Sequence, residues 1–256
     1  MALRKSGLTI LSIFMIILLC LGIALAAPDK DAAQEPFEQG VAALGQGSPT
    51  QAVEKFTAAI KLDPEMVAAY INRGIAEMKL DLWADAVGDF DKAIDLAPNS
   101  PEAYYNRALA YSRQKVYDKA LADYTQALKL APKDWQIYYN RGNTYLDQDK
   151  PQEALKDYGQ ALKLHPQGPE ILYNRSLAYL ALDKPEQALA DADKVTELNP
   201  NYARAWLSRG RALEKLGNKY EALAAYRRFL NTGNPDTDGP LLQQALGRIK
   251  VLEASK

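Results

Sequence analysis

Five arginines recur at intervals of 34 residues: Arg73, Arg107, Arg141, Arg175 and Arg209. Four aspartates recur at the same interval: Asp89, Asp123, Asp157 and Asp191. Two chemistries fit such columns. Guanidinium groups in register would make a repeated cationic site for an anionic ligand. Alternatively, each Arg takes an Asp as its partner, and the columns form a ladder that fixes helix orientation. The columns appear and vanish nearly together, which favours the ladder. Pairing within a unit leaves Arg209 without an aspartate, and pairing with the preceding unit leaves Arg73 without one. Directly before four of these arginines stand Asn72, Asn106, Asn140 and Asn174, and Tyr105, Tyr139 and Tyr173 precede three of those. Asn both donates to and accepts from peptide groups, and Tyr offers flat, rigid contact area. This pairing suits an extended peptide; the plainer alternative is that the Asn side chains tie neighbouring helices together.

Reactive chemistry is nearly absent. There is one histidine, His165, and one cysteine, Cys20. That excludes His-pair zinc sites and an internal disulfide. No nucleophile–His–acid set, Gly-rich phosphate loop or metal spacing is found. The expectation is no enzyme, no metal and no cofactor. The 31 basic residues against 32 acidic ones give a net charge of −1, which lacks the basic excess of a nucleic-acid binder.

The elements that must position these columns are helices. From Ala33 a frame of 34 residues runs without a gap through 33–66, 67–100, 101–134, 135–168, 169–202 and 203–236. In each unit two apolar stripes at i, i+4 and i+7 spacing predict two helices, as in Tyr104, Ala108 and Tyr111, then Ala120, Tyr124 and Ala127. Gly, Pro, Asp or Asn separates them. Pro64, Pro98, Pro132, Pro166 and Pro200 end the first five units, since proline stops a helix. The first unit has Pro36 inside its first stripe. After a loop over 231–239, Pro240 is expected to open a last helix with Leu241, Leu242, Ala245, Leu246, Ile249 and Leu252 on its apolar face.

The pattern resembles the tetratricopeptide repeat. Small residues mark the first helix: Gly40, Gly74, Ala108, Gly142, Ser176 and Gly210. Alanine recurs on the second without exception: Ala52, Ala86, Ala120, Ala154, Ala188 and Ala222. Aromatics follow in Phe56, Phe90, Tyr124, Tyr158 and Tyr226, with Ala192 standing in the fifth unit instead. The resemblance implies an all-α, right-handed α-solenoid of six helix pairs plus a C-terminal capping helix over 237–256. It also implies a non-enzymatic scaffold binding a protein or peptide partner in a concave groove. The Tyr–Asn positions Tyr105, Asn106, Tyr139, Asn140, Tyr173 and Asn174 would line that groove. Some family members clamp a C-terminal carboxylate with two Lys, two Asn and an Arg. Asn143, Asn174 and Arg204 occupy three of those places, while Tyr139 and Ser208 replace the expected Lys and Arg.

The N-terminus reads as an address. Arg4 and Lys5 precede an apolar run from Leu8 to Ile23 and the small residues Ala24-Leu25-Ala26. This matches a secretory signal peptide over 1–26, followed by a linker over 27–32. The competing reading is an uncleaved anchor over 8–27, long enough to span a bilayer. Leu19 is too large for a lipobox ahead of Cys20. Both readings place the array outside the cytoplasm, in the periplasm or on the outer face of a bacterial inner membrane. Exported arrays of this layout are similar to bacterial envelope assembly factors.

Overall fold

The computed structural model describes residues 29–254. The apolar N-terminal segment, with both readings of it, lies outside the described residues. Among the described residues no helix is long and apolar enough to cross a membrane. They form thirteen α-helices and no strand. The chain divides into two compact units between Leu80 and Asp81.

The first unit contains α1 (Lys30–Gly45), α2 (Pro49–Leu62) and α3 (Val67–Lys79). Helix α1 starts inside the stretch read as linker, because the Asp29 side chain accepts from the Ala32 backbone N–H at 3.0 Å and caps it. Pro36 then sits within the helix. It costs one backbone hydrogen bond but does not break the element. Phe56 from α2 is fully buried with Ala43, Ala52 and Ala76.

The second unit contains α4 (Trp83–Leu96), α5 (Pro101–Arg113), α6 (Tyr117–Leu130), α7 (Trp135–Asp147) and α8 (Pro151–Leu164). It continues with α9 (Pro169–Ala181), α10 (Pro185–Leu198), α11 (Ala203–Lys215), α12 (Lys219–Thr232) and α13 (Pro235–Ala254). It is an α-solenoid. The hairpins α5–α6, α7–α8, α9–α10 and α11–α12 stack in order, each second helix against the next first helix. The first helices α5, α7, α9 and α11 also touch in succession. The recurrent Pro explains the helix ends. Helices α8 and α10 stop at Leu164 and Leu198, and His165 and Asn199 leave the helical region ahead of Pro166 and Pro200, as the residue before a proline is biased to do. Pro at the first position opens α5, α8, α9 and α10, where its missing N–H costs nothing.

The alanine column is 0% exposed at all six places. The small residue of the first helix has a sharper task than general close approach. A Cβ added at Gly142 would lie 2.8 Å from the Tyr158 ring, and one at Gly210 would lie 2.6 Å from the Tyr226 ring. Glycine there makes room for the aromatic of the second helix. In the fifth unit Ala192 supplies no ring, and Ser176 stands where glycine would; both are fully buried. The Ser176 and Ser208 hydroxyls meet at 2.7 Å.

The turn inside each hairpin has a shared backbone geometry. Gly47, Asp81, Lys115, Asp149, Asp183 and Gly217 all have φ between +55° and +77°, and they are spaced one repeat apart. Lys115 is the residue least suited to this left-handed conformation, since Asp bonds locally there and Gly carries no Cβ. Lys115→Gly is expected to stabilise the chain by about 0.5–1 kcal/mol, read from the midpoint of urea unfolding. An unchanged or lower midpoint would refute the strain.

Helix α13 begins at Pro235 rather than at Pro240, which lies inside it. Asn234 caps the start: its Oδ1 accepts from the Asp236 N–H at 2.9 Å, and its own N–H donates to Asp238 Oδ2 at 3.1 Å. That reciprocal pair acts as a capping box. Ala245 and Ile249 are buried against α11 and α12, with Leu241, Leu242 and Leu252 beside them. Leu246 turns outward and is exposed.

Candidate functional site

The arginine column is committed to the fold. Arg107 donates from Nε and Nη2 to Asp123 at 2.7 Å each, Arg141 likewise to Asp157, and Arg175 to Asp191 at 2.7 and 2.6 Å. These are forked pairs within one repeat, the geometry that suits guanidinium and carboxylate. Two of these side chains also reach back one helix. Arg107 Nη1 donates to Asp91 at 2.6 Å, and Arg141 Nη1 to Thr125 Oγ1 at 3.2 Å. This backward contact resolves the case of Arg209. It has no aspartate ahead of it and instead donates to Asp193 at 2.6 Å. Aromatic rings hold the guanidinium groups: Tyr104 under Arg107, Tyr138 under Arg141, Tyr179 under Arg175 and Trp206 under Arg209. For Arg107 the hydrogen bond it donates to Asp123 raises the pKa and outweighs burial, which lowers it. The charges of Arg107, Arg141, Arg175 and Arg209 are thus balanced within the fold rather than offered to an anionic ligand.

The Tyr–Asn pairs lie on the first helices, where successive repeats meet. Asn140 Nδ2 donates to Tyr105 Oη at 2.9 Å and to the Gln136 carbonyl at 2.9 Å. Asn174 Nδ2 donates to Tyr139 Oη at 3.0 Å and to Asn143 Oδ1 at 2.9 Å. Asn143 Oδ1 also accepts from Tyr158 Oη at 2.8 Å. A row of neutral hydrogen bonds therefore runs from repeat to repeat. Burial, and then the nearby Asp134, pushes the Tyr105 phenol up to about 12. Burial likewise raises Tyr139 and Tyr173, so all three stay protonated. Tyr105 and Tyr139 pack on the buried rings Tyr124 and Tyr158. Tyr173, whose repeat lacks such a ring, packs on Tyr202 instead at 5.4 Å. Asn106 is buried and donates to the Glu102 carbonyl.

These contacts do not exhaust the row. Asn140 and Asn143 both line a cavity of about 240 Å³, with Leu109, Ser112 and Asp147. The Asn140 amide nitrogen is fixed by the Gln136 carbonyl, which leaves its oxygen directed elsewhere. The Asn143 oxygen is occupied twice, which leaves its nitrogen. One acceptor and one donor, a helical turn apart, are of the kinds that the N–H and C=O of one residue in an extended chain require.

Further along the same face a larger cavity opens, of about 720 Å³. Its floor is Leu146, Leu177, Leu180 and Leu207, from α7, α9 and α11, and Gln244 and Arg248 of α13 form one wall. The sequence carries a signal for it. Asn143, Leu177 and Arg211 share one repeat position, as do Leu146, Leu180 and Glu214. The first column runs polar, aliphatic, charged, and the second runs aliphatic, aliphatic, charged. Such leucines look like ordinary core positions until the fold shows them facing an open space.

Arg204 lies apart from both cavities. Its Nε donates to the buried Asp238 at 2.7 Å and fastens the start of α13. The structure therefore brings Asn143 and Asn174 together but joins Arg204 to the cap. His165 stacks on Trp135 with ring centroids 4.7 Å apart. Among the described residues no group of three or more His, Cys, Asp or Glu side chains is placed to hold a metal ion.

No curated protein matches the chain significantly. Many solved structures resemble it. YrrB, described as a tetratricopeptide protein with an unusual peptide-binding site, is 25% identical with a TM-score of 0.64, over 78% of this chain and 100% of that one. PilW, a widely conserved type IV pilus biogenesis factor, is 19% identical with a TM-score of 0.75, over 84% of this chain and 98% of that one. MamA from Desulfovibrio magneticus RS-1 is 24% identical with a TM-score of 0.62, over 68% and 97%. The pattern of the tetratricopeptide repeat matches residues 37–101 and 173–237 in one form, and 101–134 and 135–167 in another. Those matches fall on the hairpins and columns described above, and the chain belongs to the tetratricopeptide repeat family.

Proposed function

We propose that this chain is a non-enzymatic scaffold that holds a segment of a partner protein against the first helices of its second unit. The observation that carries the reading is the pair of cavities on that face. One offers a donor and an acceptor for the backbone of an extended chain, and the other offers an aliphatic floor. A volume of about 720 Å³ lies within the usual range of ligand sites. The ion-pair ladder, by contrast, is consumed by the fold. The peptide-binding site of YrrB is consistent with this reading.

The scaffold is proposed to act outside the cytoplasm, on the strength of residues 1–26 alone. A co-chaperone-like capture of C-terminal tails has less support, because Arg204 is engaged by Asp238.

The test compares capture of envelope proteins by the wild-type chain and two variants. Tyr139→Ala with Asn140→Ala is expected to abolish capture. Tyr220→Ala, on an exposed ring of α12 that is 83% accessible, is expected to leave it unchanged. Equal capture by all three would overturn the groove as the site. N-terminal sequencing of the exported chain separates cleavage, with a start at Ala27, from an intact anchor.

A further inference from the structure

The larger cavity has a charge pattern that narrows its occupant. Four cationic or anionic side chains line it: Arg211, Glu214, Lys215 and Arg248. Three of them are already neutralised. Arg248 pairs with Glu214, whose carboxylate also accepts from Tyr226 Oη at 2.6 Å. Burial raises the Glu214 pKa, and these bonds outweigh it to hold the carboxyl below its usual range. Lys215 pairs with Asp183 at 2.5 Å. Arg211 differs. It donates to Gln244 Oε1, a neutral amide, and forms no ion pair among the described residues. One uncompensated guanidinium therefore stands at the edge of an aliphatic floor made by Leu146, Leu177, Leu180 and Leu207.

Resting on the groove reading above, we propose that this cavity takes an acidic–aliphatic segment of a partner protein. Two or three Leu, Ile, Val or Met side chains would lie on the leucine floor, with an adjacent Asp or Glu on Arg211. Burying aliphatic side chains supplies the affinity. The carboxylate supplies orientation and selectivity, because a like charge at that point is repelled. A protein segment suits the site better than a free fatty acid. The cavity is open rather than a closed tunnel, and Gln244 on its wall can bond backbone amides.

The test is selection of random nine-residue displayed peptides on the purified full-length chain, followed by affinity measurement. Peptides with at least two aliphatic residues beside an acid are expected to be enriched, and replacing that acid by its amide is expected to weaken binding roughly tenfold. Arg211→Glu should reverse the preference to Lys or Arg while keeping the aliphatic requirement. Circular dichroism confirms that the variant folds. Several results overturn the proposal. One is enrichment that Arg211→Glu does not alter. Another is enrichment of peptides lacking aliphatic residues. A third is displacement of the peptides by dodecanoate at equal concentration, which would mark an amphiphile site. If peptides bind with no acidic–aliphatic signature but are lost on the Tyr139/Asn140 variant, this proposal fails and the scaffold reading stands. If no peptide is enriched at all, both fail.

Discussion

Tyr158→Ala is expected to destabilise the chain by about 3–5 kcal/mol, the range for emptying a buried aromatic site. The ring is 0% exposed and faces Gly142, where even a Cβ would approach within 2.8 Å. It packs against Tyr139 at 6.3 Å, and its hydroxyl donates to Asn143 at 2.8 Å. Removing it empties the space between α7 and α8 and loosens the hydrogen-bond row on the neighbouring face. Tyr158→Phe keeps the ring and loses one hydrogen bond, so about 1 kcal/mol is expected. Because repeats interact mainly with their neighbours, urea unfolding of Tyr158→Ala should split into two transitions. Gly142→Leu alone should cost about 1–3 kcal/mol by overpacking. In the Tyr158→Ala background it should cost less, because the space is then open, and the double-mutant cycle measures that coupling. Strict additivity would show that the glycine does not serve the ring.

The second large effect concerns the ladder. The side chains of Arg141 and Asp157 are 17% and 6% exposed. Asp157→Ala leaves a guanidinium with two donors unsatisfied in a desolvated place, at a cost of about 3 kcal/mol. Arg141→Met with Asp157→Leu removes both charges together and is expected to cost far less, since an apolar pair of similar size can replace a buried ion pair. The contact of Arg209 provides the contrast. Its partner Asp193 is 40% exposed, so Asp193→Ala should cost under about 1 kcal/mol. Chemical denaturation of the three variants checks all three expectations. A small loss for Asp157→Ala would revive the anion-site reading of this column.

The hairpins were legible because their causes are local and repeated. Proline spacing fixes where helices stop, and six buried alanines fix where they touch. The cap was legible only in part. Asn234-Pro235-Asp236 is a helix start by composition, with a capping side chain, a first-position proline and acids in the first turn, yet Pro240 draws the eye as the opener. The role of the Asn column could not be read, since a hydrogen bond from Asn140 to Tyr105 spans a repeat and depends on how hairpins stack. The arginine pairing was similarly open. Arg107 reaches both forward and backward by 16 residues, Arg175 reaches only forward and Arg209 only backward, and a linear pattern does not show which contact a given repeat will use. The aliphatic cavity was hidden for another reason. Leu177 and Leu180 satisfy the same periodicity as buried residues, and only the packing of α13 beside them shows that they border open space.

Two sets of ties in the second unit, one within repeats and one between them, recur with the repeat period. Arginine contacts fall 16 residues either way, and Tyr–Asn contacts fall 35 residues apart. Removing or duplicating one block of 34 residues keeps those offsets, and a joint is preserved where the flanking copies carry the same side chains, as Arg107–Asp123, Arg141–Asp157 and Arg175–Asp191 do. Among such copies the array can change length by whole repeats without redesigning its joints. The cap escapes this freedom: Asp238 requires an arginine at Arg204, so the last repeat is the one copy that cannot be exchanged for another.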